Sequence, residues 1–253
     1  LLEQISSLIV DLDGVVWLGD RPIEGTAEAL TKLERAGKKL AFLTNNSTVS
    51  RRDCARKLKK IGIEADAIIT SSYGAALWLK KDGQARVYAI GEKGLREELE
   101  LAGHKLVKEG EAEKATHVVV GLDRKLSYEK LAAGMRAILA GAKFVATNRD
   151  CSYPSEKGLL PGAGAIVSFL ETATRRPPDV VIGKPETFLL ELALQALNSK
   201  PGETALVGDR LDTDVVAGKK AGLKTILVLT GVSKKVEGKP KPDLVVRNLL
   251  DLL

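Results

Sequence analysis

Short apolar runs rich in Val, Ile and Leu alternate with amphipathic helical patterns along this 253-residue chain, and that alternation limits the fold more than any other feature. Continuous apolar runs of this kind suit strands buried on both faces, and strands joined through helices pair in parallel. The first runs are Leu8 to Val10, Leu40 to Leu43 and Ala67 to Thr70, with helical patterns near Thr26 to Ala36, Arg52 to Ile61 and Tyr73 to Lys80. The tail repeats the scheme: Val180 to Ile182, a helix from Glu186 to Leu197, Thr204 to Val207, a helix near Val215 to Ala221, and Thr225 to Leu229. The middle is also α/β, with Val87 to Ile90, Val118 to Gly121 and Phe144 to Ala146 separated by helical patterns at Leu95 to Ala102 and Tyr128 to Ala140. A Gly- and Pro-rich stretch, Asn148 to Gly164, then precedes an apolar helix ending near Thr174. Turn-rich linkers at Lys81 to Gln84 and Arg175 to Asp179 bracket this portion. The predicted α/β architecture is a Rossmann-like parallel-sheet core, residues 1–82 and 179–253, with an inserted α/β domain at 83–178.

Composition removes several function classes. Apolar residues make up 44%, enough for a buried core. Cys54 and Cys151 form no CxxC pair, so neither a disulfide scaffold nor a thiolate zinc site is expected. His104 and His117 lie in no metal-binding or nucleophile-activating motif, so hydrolysis would have to rely on carboxylates, lysine and metal. The net charge of +6 does not read as a nucleic-acid surface, because basic and acidic residues alternate, as from Lys93 to Leu101, and aromatics are only 4%. No apolar run approaches the ~20 residues of a membrane span, and the start lacks a signal-peptide pattern, so a cytoplasmic protein is expected. Five Asn, three Gln and one Met point toward a thermophilic source.

Chemistry concentrates after the apolar runs. Ile9-Val10 leads into Asp11-Leu12-Asp13-Gly14, two carboxylates one residue apart where a parallel sheet binds its ligands. A lone DxD is as readily a solvated turn. Three further segments change that reading: Thr44-Asn45-Asn46-Ser47, whose hydroxyl and amides suit phosphate oxygens; Gly183-Lys184-Pro185-Glu186, a lysine at a helix start; and Gly208-Asp209-Arg210-Leu211-Asp212-Thr213-Asp214. Each has a bland account as turn, surface charge or helix start, but all four follow apolar runs, so one sheet edge is expected to gather them. Gly162-Ala163-Gly164 lacks the third glycine of a dinucleotide fingerprint, and GxxxxGK[ST] and GxSxG are absent. Trp17 reads either as a neighbour of a leaving group or as packing.

The order and spacing of these segments resemble the haloacid dehalogenase superfamily, specifically its NagD-like branch, over essentially the whole chain. The inserted segments Ala146-Thr147-Asn148-Arg149-Asp150 and Pro161-Gly162-Ala163-Gly164-Ala165 extend the likeness, with Arg149 departing from the proline of many relatives. The resemblance implies an Mg²⁺-dependent phosphatase of small phosphomonoesters working through an aspartyl phosphate. Asp11 would be nucleophile and Asp13 general acid and base; Thr44, Asn45 and Lys184 would bind phosphate. Mg²⁺ would be held by Asp11, Asp209 and the Asp13 backbone carbonyl, with Asp214 or Asp212 in support. Asn46, Asn148, Arg149 and Asp150 are the expected contacts to the rest of the substrate. Sugar phosphates, phosphoglycolate, nucleotides and p-nitrophenyl phosphate are the candidate substrates. A small phosphorylated metabolite is the expected partner, neither nucleic acid nor membrane, with homodimerisation left open.

Rivals fare worse on the same residues. A signalling receiver domain would be shorter, carry its acceptor after a later strand and not need Asp13. A dehalogenase would need neither the acid at Asp13 nor the cluster at Asp209, and a phosphomutase is associated with a different placement of the inserted domain.

Overall fold

A computed structural model describes residues 2–65, 67–155 and 158–253 of the protein. The chain forms two compact units, one of Leu1–Thr44, Cys54–Ile69 and Lys184–Leu253, the other of Asn45–Asp53 and Thr70–Gly183. No helix among the described residues is long and apolar enough to cross a membrane.

The first unit is built on a six-stranded sheet in the order Leu244–Val246, Lys224–Val228, Thr204–Gly208, Ser7–Asp11, Lys39–Thr44, Ala67–Thr70. Strand Ser7–Asp11 is central and pairs in parallel on both sides, with Leu8 opposite both Ala205 and Leu40. All five of its residues are buried, which is why Leu8-Ile9-Val10 reads as an unbroken apolar run. Parallel register also sets three strand ends side by side: Asp11, Thr44 and Gly208, the residue before Asp209.

The second unit has its own five-stranded parallel sheet, Val180–Val181, Lys143–Ala146, His117–Val120, Arg86–Ile90, Lys105–Leu106. Its core joins Phe144, Val118, Val120 and Ile90 to Ile166, Val167 and Leu170 of helix Ala163–Thr174 and to Ala133, Ala137 and Ile138 of helix Tyr128–Leu139. Ser127 caps the latter helix by accepting a hydrogen bond from the Lys130 backbone N–H at 3.2 Å.

The structure departs from the sequence reading in four places. Val180–Val181, expected in the core sheet, pairs with Val145 and Ala146 of the second sheet, and the flanking Asp179 and Ile182 N–H groups donate to Phe144 and Ala146 carbonyls. An apolar run as short as Val180 to Ile182 suits either sheet; these backbone partners decide. The stretch between Asn148 and Gly164 holds an antiparallel hairpin of Ser152–Ser155 and Gly158–Pro161, while its residues 156 and 157 lie outside the described residues. Strand Leu244–Val246 follows a Lys- and Pro-rich stretch that gave no strand signal. The second unit also takes more chain than residues 83–178. Helix Ser71–Lys80 packs on Lys93–Leu101, and segment Asn45–Asp53 is bonded into the same unit: Ser71 Oγ and Asn148 Nδ2 donate to the Asn45 carbonyl, and the Gly94 N–H donates to the Thr48 carbonyl.

Replacing Phe144, fully buried, with Ala should destabilise the second unit by about 3–5 kcal/mol. Amide hydrogen exchange resolved by residue checks this, with lost protection expected at His117–Val120 and Lys143–Ala146 and not along Ser7–Asp11.

Candidate active site

Asp11 ends the central strand of the first unit with its side chain 91% buried, and its Oδ1 lies 2.8 Å from Lys184 Nζ. The same ammonium lies 2.5 Å from Asp214 Oδ1, and Lys184 and Asp214 are each only 2% exposed. One cation is thus clamped between two carboxylates away from water. Burial alone would lower the Lys184 pKa, but Asp11 and Asp214 hold it well above its ordinary value, so the side chain stays charged. Burial pushes the Asp11 carboxyl well up, opposed by Lys184 and reinforced by Asp214 and Asp209.

Asp13 lies two residues beyond the strand end and is exposed. Its Oδ2 accepts from Thr44 Oγ at 2.9 Å and its Oδ1 from Trp17 Nε1 at 3.0 Å, so one carboxylate is fixed from two directions. Trp17 itself is buried and has Lys57 Nζ 4.2 Å from its ring centroid, a cation–π contact. Trp17 is therefore both packing and a positioning group for Asp13. The turn that carries Asp13 closes through Gly14, whose N–H donates to the Trp17 carbonyl and whose φ is +86°, a left-handed value suited to glycine.

Asp209 follows strand Thr204–Gly208 and is 2% exposed. Its Oδ2 accepts from the Val232 N–H at 2.6 Å and its backbone carbonyl from the Ser233 N–H. Three glycines leave room for the carboxylates: a Cβ on Gly231 would lie 1.9 Å from Asp209 Oδ2, one on Gly14 2.4 Å from the same atom, and one on Gly208 2.2 Å from Asp214 Cγ. Gly231 and Val232 escaped the sequence reading. Their signal was positional, since they follow the run Thr225 to Leu229 as the other site segments follow theirs, but they contribute a missing side chain and a backbone N–H.

Asp212 and Asp214 have different partners. Asp214 directs Oδ1 to Lys184 and Oδ2 to the Arg210 N–H at 3.0 Å. Asp212 has its side chain exposed and is gripped by the Arg210 guanidinium through both oxygens, at 3.0 and 2.7 Å.

Carboxylate oxygens of Asp11, Asp209 and Asp214 lie within 4.8 Å of one another. Burial and the neighbouring Asp214 push the Asp209 pKa up to about 6, so the protein alone does not neutralise this crowd of charge. Hard oxygen donors gathered this closely fit a hard divalent cation.

The remaining expected site residues belong to the second unit. Asn45 Nδ2 lies 3.2 and 3.3 Å from the two Asp150 oxygens. Asn46 Oδ1 accepts from the backbone N–H and hydroxyl of Thr48. Asn148 is buried, donating to the Asn45 carbonyl and accepting from the Asp150 N–H, so its amide braces the loop. The guanidinium of Arg149 pairs with Glu171 on helix Ala163–Thr174.

Two expectations follow. Gly231→Ala should displace the Asp209 carboxylate and weaken divalent-cation binding by at least about tenfold with the fold intact, measured by calorimetric titration. The second concerns pH. Asp209 titrates higher folded than unfolded, so its proton stabilises the cation-free protein at low pH, and that contribution, on the order of 3 kcal/mol, is lost as pH rises from about 4 through about 6. A divalent cation replaces the lost proton, so it should raise the melting temperature strongly at about pH 7.5 and little at about pH 5.

Comparisons with known proteins identify the family. A haloacid dehalogenase-like hydrolase family profile matches residues 8–105, and a HAD-hydrolase-like profile matches residues 181–252. The chain is 42% identical to the 5'-nucleotidase YutF of Bacillus subtilis, covering 92% of this chain and 91% of that protein. It is 36% identical to the sugar-phosphatase AraL of the same organism, over 98% and 92% of the two chains. The solved structure of a p-nitrophenyl phosphatase from Archaeoglobus fulgidus superimposes with a TM-score of 0.91 at 38% identity, covering 98% of each chain.

Proposed function

We propose, for a chain that belongs to the haloacid dehalogenase-like hydrolases and to their NagD-like phosphatases, that the reaction is Mg²⁺-dependent hydrolysis of small phosphomonoesters through an aspartyl phosphate, an acyl phosphate formed on Asp11. Sugar phosphates, phosphoglycolate, nucleotides and p-nitrophenyl phosphate make up the substrate class, and the named relatives support it. The observation that carries the reading is the Lys184 ammonium held 2.8 Å from Asp11, with Asp13 fixed separately by Thr44 and Trp17.

A phosphate dianion is repelled by a bare carboxylate, and the crowd of Asp11, Asp209 and Asp214 would repel it further. Asp11 and Asp209, with the Asp13 backbone carbonyl, would hold Mg²⁺, which when bound neutralises this charge and draws density from the phosphoryl oxygens. Lys184, fixed by Asp214, offers its ammonium to the same oxygens. The Asp11 carboxylate then attacks phosphorus in line, the bond to the ester oxygen breaks, and Asp13 gives its proton to the departing alkoxide. In the second step Asp13, now ionised, takes a proton from water as that water attacks phosphorus, releasing inorganic phosphate and restoring the Asp11 carboxylate. Thr44 and Trp17 keep Asp13 oriented through both steps. A small phosphorylated metabolite is thus the proposed partner, and a cytoplasmic setting goes with it.

Steady-state and rapid-quench kinetics on p-nitrophenyl phosphate test this. Asp11→Asn should abolish turnover and phosphoenzyme formation, and Asp13→Asn should slow turnover by about 10²–10⁴-fold. Chelation should silence the wild-type enzyme and Mg²⁺ restore it. Multiple turnover by the Asp11 variant would overturn the assignment.

A further inference from the structure

The second unit contains a feature that the proposed reaction does not use. In its sheet, Arg86–Ile90 and His117–Val120 are adjacent, yet the chain leaves them in opposite directions. After Ile90, helix Lys93–Leu101 leads outward to Lys105–Leu106; after Val120, helix Tyr128–Leu139 leads the other way to Lys143–Ala146. Outgoing connections that diverge open a crevice beyond the carboxyl ends of the two strands, the place where parallel α/β sheets bind ligands.

An open groove of about 670 Å³ lies there, formed by the residues that follow these two strands and within the size range of small-molecule sites. Its walls are braced. Arg124 grips Glu92 through both guanidinium bonds at 2.7 Å and its own backbone N–H at 3.0 Å. Buried Asp123 accepts from Lys130 at 2.6 Å and from the Lys125 N–H at 2.9 Å. Arg96 donates to the carbonyls of Ala89 and Gly91. With those charges committed, Lys93 and Lys125 bring ammonium groups that no carboxylate pairs among the described residues.

The groove is also polarised along its length. Lys93, Arg96, Glu97 and Glu100 share one helix face by their spacing, and Lys93 to Glu100 spans about 10 Å. Beside the braced carboxylates Glu92 and Asp123, Lys93 and Lys125 therefore lie at the strand-end side, with Glu97, which has Arg52 at 3.9 Å, and Glu100 one and two turns further along. We propose that this groove is a second ligand site that takes a hydroxylated phosphate ester of about monosaccharide size, its phosphate at Lys93 and Lys125 and its hydroxyls donating to Glu97 and Glu100. It is separate from the Asp11 site in residues and in sheet, and independent of the reaction assigned there.

The test is a titration of the full-length Asp11→Asn protein, in which turnover is blocked, with ribose 5-phosphate, ribose, gluconate and inorganic phosphate, read by backbone amide resonances. Ribose 5-phosphate should shift the amides of residues 91–97 and 123–125 saturably. Adding the surface double substitution K93E/K125E should weaken that response by at least about tenfold while the signals of Thr44 and Asp209 respond as before. No saturable shift at those amides, or a shift that survives the charge reversal, would overturn the site. An equal response to gluconate would overturn the phosphate preference, and equal affinity for inorganic phosphate or ribose would overturn the ester.

Discussion

Lys184 places a single buried positive charge among Asp11, Asp209 and Asp214, and the geometry of the first unit's site depends on that charge staying where it is. Three ionised carboxylates and one ammonium leave a formal charge of −2, the amount that one divalent cation cancels. A buried ion pair adds little net stability over apolar packing, but a buried carboxylate stripped of its partner is strongly destabilising. Asp214 thus serves by fixing the lysine, and the lysine opposes the burial that pushes the Asp11 carboxyl upward.

The residues around this cluster follow from the same demand for space and dipoles. Gly14, Gly208 and Gly231 remove the atoms that would collide with the Asp209 and Asp214 side chains, and the Val232 and Arg210 N–H groups bond the carboxylate oxygens left over. Asp13 stands apart in its surroundings: it is exposed and is bonded by the neutral donors Thr44 and Trp17.

Much of this was legible in the sequence. Continuous apolar runs located the central strands, and the polar residues after them located Asp11, Asp13, Thr44 and Asp209, because a parallel sheet aligns its strand ends. Lys184 was found for a partly wrong reason: its preceding strand belongs to the other sheet, and a run as short as Val180 to Ile182 carries no record of its partner. Asp212 and Asp214 were indistinguishable as letters, and only the turn from Leu211 to Val215 sends one inward and the other to Arg210. Gly231 and Val232 act through an absent side chain and a backbone group, which composition cannot flag. Asn148 was expected as a substrate contact from the resemblance; in the structure its amide bonds the Asn45 carbonyl and the Asp150 N–H, partners that the letters do not reveal.

The segment Asn45–Asp53 has a bearing on modular inheritance. Its carbonyls at Asn45, Thr48 and Val49 accept from Ser71 and Asn148, from Gly94 and from Ser72, and its Ser47 hydroxyl accepts from the Leu122 N–H. Residues 70–183 look like a cassette that recombination could lift out as one contiguous piece. Transplanted alone, that cassette would arrive with the donors of four elements facing a stranger's loop, so the two segments have to travel together or drift in step, although some sixteen residues of the first unit separate them along the chain.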